Sequence, residues 1–225
     1  MTRCPIPEYV RPLPESVYPP SEDTFLFMDA LEKERNHIQT LNPLFACEIG
    51  CGSGLIVSFF AKHIAPQSCF CFATDINDEC LLTTKSTSKI NKVCVDTICC
   101  DLLTPFLPRL YRSIDVILFN PPYVPTDEVE LMNSQPFLGG TEGIASSWAG
   151  GRDGMEVTNR VLNDLDMYLS ENGVAYVILL QANKPKTITQ KLKARGFKLT
   201  VVLKRSSQLE LLYLVKIVRL KPPHP

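Results

Sequence analysis

The sequence has no excess of charge of either sign. Its 23 lysines and arginines are balanced by 24 aspartates and glutamates, which gives a formal net charge of −1 at pH 7. Such a balance does not favour binding of nucleic acid by charge alone, although a local basic patch would be compatible with it. Long apolar runs are also missing, so we predict no membrane-spanning helix, and the stretch MTRCPIPEYVRPLPESVYPP lacks the apolar core of a secretory signal.

Histidine is scarce, and the cysteines do not have the spacing of a metal site. The nine cysteines include no C-x-x-C pair, and only three histidines could complete a set of ligands. We therefore expect no metal site. An odd number of cysteines without a secretory signal indicates reduced thiols, and we expect a cytoplasmic protein or one that also enters the nucleus.

Composition and pattern divide the chain into three parts. Residues 1–20 contain six prolines and are predicted to form an extended arm. Residues 21–220 are predicted to form a single domain, and residues 221–225 a disordered tail. A chain of 225 residues, 45% of them hydrophobic, suits one domain of this size.

Short apolar runs alternate with helical patterns after a first helix that Ser21 caps. The predicted strands are 44–49, 69–74, 93–99, 114–119, 174–180, 198–203 and 209–218, and the further predicted helices are 54–63, 78–90, 154–171 and 185–195. Asn172-Gly173 is predicted to end the helix at 154–171, and Asn183 to cap the helix at 185–195. This order predicts an α/β fold with a seven-stranded, mostly parallel, doubly wound sheet whose last strand is antiparallel.

Residues 124–153 interrupt the alternation. They carry no clear period and include five glycines, and long connections of this kind are usually functional or mobile. Trp148, the single tryptophan, lies in this stretch, and we predict that it anchors the core rather than contacting a substrate.

A glycine-rich turn follows the first predicted strand. In ACEIGCGSG, residues 46–54, the glycines at 50, 52 and 54 lack Cβ atoms, so a ligand could lie against the backbone. Dinucleotide-binding turns have the spacing G-x-G-x-x-G, whereas the spacing here is G-x-G-x-G. Glu48, just before the turn, suits a cationic ligand better than a pyrophosphate.

Acidic residues lie at the ends of three consecutive predicted strands. Glu48 belongs to the first, Asp75 ends the second in TDIN, and Asp101 ends the third in CCDLL. Any one acid could cap a helix, and for Asp75 alone we would slightly favour that role; the three acids with the glycine turn favour a cofactor site. The set fits S-adenosylmethionine, which has a ribose diol, an adenine and a sulfonium but no phosphate. NAD is the alternative, and the glycine spacing disfavours it.

The stretch DVILFNPPYV, residues 115–124, ends an apolar strand on two prolines, which cannot continue it. The side-chain oxygen of Asn120 and the carbonyl of Pro121 could both accept hydrogen bonds from a substrate NH₂ group. Tyr123 could stack on a flat substrate group. Methyl transfer from a sulfonium depends on positioning and electrostatics more than on a strong base. The alternative is that N-P-P-Y is only a rigid turn.

Together these motifs resemble the HemK/PrmC-like class I methyltransferases, and more closely the eukaryotic release-factor glutamine methyltransferase catalytic subunits. The matching stretches are VYPPSEDTFLFMDAL, CEIGCGSGLIVSFFA, TDIN, DLLTPFLPRL, VILFNPPYV and SWAGGRDGMEV, in order along nearly the whole chain. N-P-P-Y is shared by several amino methyltransferases, whereas EDTF and WAGGRDG are narrower signals.

The resemblance implies S-adenosylmethionine as cofactor and N5-methylation of the glutamine in the Gly-Gly-Gln loop of the eukaryotic class 1 release factor. It implies cofactor contacts from Thr24, Glu48, Gly50, Gly52, Asp75, Asp101, Leu102 and Asn120, and catalysis by Asn120, Pro121 and Tyr123. Thr24, Glu48 and Gly50 would hold the methionine end, Asp75 the ribose, and Asp101 with Leu102 the adenine. Histone lysine and nucleic-acid adenine-N6 methylation remain alternatives, as does a non-catalytic scaffold.

The third predicted strand, 93–99, is expected at the edge of the sheet. An apolar edge strand promotes aggregation unless it is covered. We expect a partner chain to cover it, and the resemblance implies a small zinc-binding methyltransferase activator that forms a heterodimer. The alternative is that the N-terminal arm folds over this edge.

Overall fold

The computed structural model describes residues 3–126, 150–207 and 210–220. The strands are β1 (Phe45–Ile49), β2 (Phe70–Asp75), β3 (Asp96–Cys99), β4 (Ile114–Phe119), β5 (Leu169–Leu180), β6 (Phe197–Ser207) and β7 (Glu210–Arg219). The α-helices are α1 (Glu22–Leu41), α2 (Leu55–Phe59), α3 (Asp78–Ile90), α4 (Glu156–Tyr168) and α5 (Pro185–Ala194), and a π-helix at Phe60–Ile64 continues α2.

The strands form one seven-stranded sheet in the order β3-β2-β1-β4-β5-β7-β6. Strand β7 is antiparallel to both of its neighbours, while β1 to β5 pair in parallel. The predicted fold class is therefore confirmed. The chain order reverses between the neighbouring strands β1 and β4, and open α/β sheets bind ligands beyond the carboxyl ends of the strands at such a point.

Two helical layers cover the sheet, one on each face. Helices α1, α2 and α3 pack in one buried cluster, which includes Phe27, and α4 and α5 pack in the other, which includes Leu165. Successive residues of β4 alternate between these clusters, since Val116 and Leu118 lie in the first and Ile117 in the second. This alternation follows from the two-residue period of a strand.

Local signals set the limits of α1. Ser21 precedes the helix in an extended conformation, and Glu22 and Asp23 lie in the first turn, where negative charge is favourable. Asn42 adopts a left-handed conformation (φ 50°) and donates its backbone N–H to Ile38. A left-handed residue of this kind is a common helix ending.

Several predicted boundaries are wrong, among them the start of the edge strand, which lies at Asp96 rather than at residue 93. Asn172 and Gly173 do not end a helix, because α4 stops at Tyr168 and both residues lie within β5. Pairing of Leu169 with Ile114 extends that strand toward its N-terminus, so sheet hydrogen bonds prevail over the local turn signal. Asn183 does not cap α5; Lys184 precedes the helix, and the Asn183 side chain is buried.

The N-terminal arm crosses the helices of one face. Near its start, the backbone N–H of Cys4 donates to Glu32 on α1. Farther along, Asn91 at the end of α3 donates to the carbonyl of Glu8, and Ser16 bonds to Glu79 at the start of α3. Within the described residues, no hydrogen bond joins residues 3–20 to strand β3.

The predicted domain limits stay predictions. Trp148 and the predicted tail at 221–225 lie outside the described residues. Among the helices that are described, none is long and apolar enough to span a membrane.

Replacement of a residue in the second cluster tests the packing of α4. Leu165 is fully buried, whereas Asn163 on the same helix is exposed. We expect Leu165→Ala to lower the free energy of unfolding by about 3 kcal/mol, because it removes buried surface and leaves a cavity. Asn163→Ala should change it by less than about 0.5 kcal/mol. Urea denaturation followed by circular dichroism measures both, and equal effects would contradict this packing.

Candidate active site

A cavity of about 610 Å³ opens at the carboxyl edge of the sheet, beside the ends of β1 and β4. All ten residues that were predicted to form the site line it: Thr24, Glu48, Gly50, Gly52, Asp75, Asp101, Leu102, Asn120, Pro121 and Tyr123. Ser16 and Tyr18 of the N-terminal arm line it as well. The sequence did not predict that the arm contributes to this site. The structure brings the predicted set together, while the role of each residue stays a prediction.

The three glycines of the turn do different things. All have positive φ angles, of 67° at Gly50, 49° at Gly52 and 72° at Gly54. A Cβ atom on Gly50 or Gly52 would meet no atom within 4 Å, so a ligand can approach the backbone there. A Cβ atom on Gly54 would lie 2.6 Å from the Cα atom of Thr84, so this glycine allows close packing against α3 instead.

Glu48 is a buried acid at the end of β1. Its Oε2 atom accepts a hydrogen bond of 2.9 Å from the backbone N–H of Val57, yet burial raises the pKa of its carboxyl group well above the usual range. The nearby carboxylate of Asp75 raises it further. A buried acid beside a partly buried one creates a site in which a cationic group would be favoured.

Asp75 connects β2 to the glycine turn. Its Oδ2 atom accepts from the backbone N–H of Gly52 at 3.1 Å, and Oδ1 accepts from that of Asn77 at 2.9 Å. The residue that caps α3 is Asn77, which accepts from the backbone N–H of Glu79 at 3.0 Å. Asp75 is therefore not the helix cap, and its carboxylate lines the cavity.

The end of the cavity nearest β3 contains an ion pair. Arg160 on α4 contacts Oδ2 of Asp101 at 2.5 Å, and both side chains are about half exposed. Leu102 follows in a left-handed conformation with φ of 55°. Arg160 also lines the cavity and was missed by sequence reasoning, because no local motif brings α4 next to Asp101.

The corner after β4, residues Asn120 to Tyr123, is held from one side by Asp23. Oδ2 of Asp23 accepts from Nδ2 of Asn120 at 3.1 Å and from the hydroxyl of Tyr123 at 2.8 Å. Burial and the Asp23 carboxylate together raise the pKa of Tyr123. Oδ1 of Asn120 is buried and has no partner in the described part of the chain. An unpaired buried acceptor in a cavity is free to bind a ligand donor.

Asn183 and a glycine segment hold the corner from the other side. Nδ2 of Asn183 donates to the carbonyl of Tyr123 at 3.1 Å and to that of Asp153 at 2.8 Å, while its Oδ1 accepts from the backbone N–H of Leu180. A Cβ atom on Gly154 would lie 1.9 Å from the Tyr123 carbonyl, so only glycine fits there. The sequence predicted Asn183 only as the cap of the helix at 185–195, not as a buried support of this corner.

Comparison with known proteins agrees with this geometry. The methyltransferase small domain family matches residues 24–143. The chain is 36% identical to methyltransferase HEMK2 of Homo sapiens, over 90% of each protein. It is 37% identical to the eRF1 methyltransferase catalytic subunit mtq2 of Schizosaccharomyces pombe, over 92% of this chain and 90% of that protein.

Solved structures share the fold. The E. cuniculi Mtq2–Trm112 complex, which is described as responsible for methylation of the eRF1 termination factor, has a TM-score of 0.64 and 24% identity over 91% of this chain and 99% of the matched chain. A ribosomal protein L11 methylase from Lactobacillus delbrueckii has a TM-score of 0.62 and 19% identity, over 95% and 84% of the two chains. From its sequence matches and its site, the chain is a methyltransferase and belongs to the methyltransferase small domain family.

Proposed function

We propose that this chain methylates the side-chain amide nitrogen of the glutamine in the Gly-Gly-Gln loop of the eukaryotic class 1 release factor. The observation that carries the proposal is the buried, unpaired Oδ1 atom of Asn120, which lies at the cavity beside two prolines. The similarity to a catalytic subunit named for eRF1 supports the choice of substrate.

The residues of the cavity fit S-adenosylmethionine as the methyl donor. Gly50 and Gly52 leave room against the backbone, and the buried Glu48 with the partly buried Asp75 favours a ligand that carries positive charge and no phosphate. Thr24 and Glu48 would hold its methionine end and Asp75 its ribose. Asp101 and Leu102 would hold the adenine. When bound, the cofactor supplies an electrophilic methyl group on a sulfonium.

The diproline corner would orient the substrate nitrogen. An amide nitrogen is a weak nucleophile because its lone pair is delocalised onto the carbonyl. Oδ1 of Asn120 and the carbonyl oxygen of Pro121 would each accept one N–H of the substrate amide, which raises electron density on that nitrogen and fixes its direction. Pro121 and Pro122 have fixed φ angles and no N–H, so the corner keeps its shape and neither proline offers a competing backbone donor.

The same acceptors would also bind a lysine or adenine amine, which are the alternative substrates. The balanced charge of the chain does not favour a nucleic acid. Incubation of the enzyme with labelled cofactor and with release factor, histone or DNA in separate reactions distinguishes the three.

We further propose that a small zinc-binding activator covers β3. Within the part of the chain that the structure describes, this strand is at one edge of the sheet and pairs only with β2, and the hydrogen bonds of the arm run to other elements. A similar fold was solved as a complex with Trm112, which supports a partner of this kind. Covering the edge would satisfy its free backbone groups and keep other chains from pairing with it.

Replacement of Asn120 tests the catalytic assignment. We expect Asn120→Ala to lower kcat for release-factor methylation by at least about 100-fold, because it removes an acceptor positioned for the reacting nitrogen. The Kd for S-adenosylmethionine, measured by calorimetry, should change by less than about threefold. Asn163→Ala, at an exposed asparagine, is the matched control and should keep full activity. Undiminished turnover in Asn120→Ala would refute the assignment.

Glu48→Gln separates cofactor binding from stability. Because the pKa of Glu48 is raised by burial, the folded state binds more protons than the unfolded state above the usual glutamate pKa, so this group lowers the free energy of unfolding as pH rises. The neutral amide removes that effect. We expect a higher Tm than wild type at pH 8, a smaller Tm difference near pH 5, and at least tenfold weaker cofactor binding. A lower Tm at pH 8 with unchanged affinity would contradict both roles.

The activator proposal is tested by expression of the chain with and without the activator. We expect the chain alone to aggregate or to lack activity, and the heterodimer to be soluble and active. In hydrogen exchange, the amides of β3 should be protected in the heterodimer, whereas those of β6, at the opposite edge, should be unchanged. A soluble, fully active monomer, or protection at β6 alone, argues against this partner.

A further inference from the structure

We infer that Asp23 is a positioning residue that decides which atoms of Asn120 and Tyr123 face the substrate. The inference rests on the proposed function of the corner and extends it to a residue that lies outside the N-P-P-Y motif. Asp23 is 4% exposed and bonds to both side chains through a single oxygen, Oδ2.

The direction of these bonds follows from the chemistry of a carboxylate, which only accepts hydrogen bonds. The end of the Asn120 amide that touches Asp23 must therefore be its NH₂ group, and its oxygen is turned away from Asp23. That oxygen is buried and has no partner among the described residues, and Asn120 itself lines the cavity. Rotating the amide by half a turn would place two acceptors against each other and point a donor at the substrate. The Tyr123 hydroxyl likewise donates its proton to Asp23 and leaves its lone pairs for other contacts.

Asp23 is itself fixed in place. Its other oxygen, Oδ1, accepts from the backbone N–H of Thr24 at 2.6 Å and from the Thr24 hydroxyl at 3.3 Å. That hydroxyl also accepts from the backbone N–H of Ser21. The carboxylate thus cannot rotate without breaking bonds in the first turn of α1, a helix whose inner face is fully packed in the core.

The consequence is a corner that offers acceptors to the substrate nitrogen. Oδ1 of Asn120, the proposed Pro121 carbonyl and the oxygen of Tyr123 all accept. Such a corner selects a nitrogen with at least two N–H bonds and refuses a carboxylate of the same shape, since a site built for a donor rejects a group that lacks it. Glutamine would be accepted and glutamate refused at the same position.

An exchange of the two side chains tests this. In D23N the backbone N–H of Thr24 still donates to the side-chain oxygen at position 23, so the new NH₂ group faces Asn120. The Asn120 amide must then turn its own oxygen toward position 23 and its NH₂ group toward the substrate. We expect kcat/KM for the substrate to fall at least about 100-fold while the cofactor Kd changes less than about threefold. N120D alone places two carboxylates together and should be equally impaired.

The double variant D23N/N120D restores a donor facing an acceptor and returns an oxygen to the cavity. We expect its kcat/KM to exceed that of either single variant by at least tenfold, whereas a purely structural role predicts that the two losses add. Wild-type kcat/KM in D23N, or additive losses in the double variant, would overturn the inference.

A measurement on the wild-type enzyme does not depend on the folding of any variant. A peptide of the release-factor loop with glutamate in place of the target glutamine should have a Kd at least 100-fold higher than that of the glutamine peptide. Equal binding of the two peptides would overturn the acceptor-only corner.

The outcomes separate this inference from the proposed function. An active Asn120→Ala variant would refute the proposed role of the corner whatever D23N does. An inactive Asn120→Ala variant together with a fully active D23N would refute only the inference about Asp23. If the wild-type enzyme methylates a lysine or adenine amine instead of glutamine, the proposed substrate is wrong, and the exchange of the two side chains is then measured on that amine.

Discussion

The pairing of the buried Asp23 carboxylate with Asn120 and Tyr123 is the interaction on which the arrangement of the site depends. Asp23 and Asn120 are 97 positions apart in the chain, and this contact joins the first turn of α1 to the carboxyl end of β4. Asn183 holds the same corner from the opposite side through the carbonyl of Tyr123. Two long-range supports therefore fix a short loop whose prolines already limit its own freedom, and a loop fixed in this way can orient a substrate without help from a strong base.

The sheet topology explains why the chemistry gathers at one place. Strands β1 and β4 are parallel neighbours, so the glycine turn after one and the diproline corner after the other open at the same edge. Burial raises the pKa of Glu48, which means that its ionised form is unfavourable in the free protein. A bound cationic ligand would offset this cost. The site thus sacrifices some stability of the free protein for affinity, a common pattern at functional positions.

The two edges of the sheet differ in how they are protected. Strand β6 is long, carries lysine and arginine, and pairs antiparallel with β7, whereas β3 has four residues and, among the described strands, pairs with β2 alone. The N-terminal arm crosses α1 and α3 and reaches the mouth of the cavity through Ser16 and Tyr18. The arm therefore contributes to the ligand site rather than to protection of β3, and the proposed activator would supply that protection.

Sequence alone determined the features that depend on neighbouring residues. The carboxyl end of β4 was predicted correctly because proline lacks an N–H and cannot continue a central strand, and the glycine turn was recognised because missing Cβ atoms are a local property. The role of Asn183, the extension of β5 through Gly173 and the ion pair of Arg160 with Asp101 were decided only by the tertiary structure. Asp23 shows the difference most clearly: its place in the first turn of a helix is readable within four residues, but its contact with Asn120 exists only because the sheet brings distant segments together.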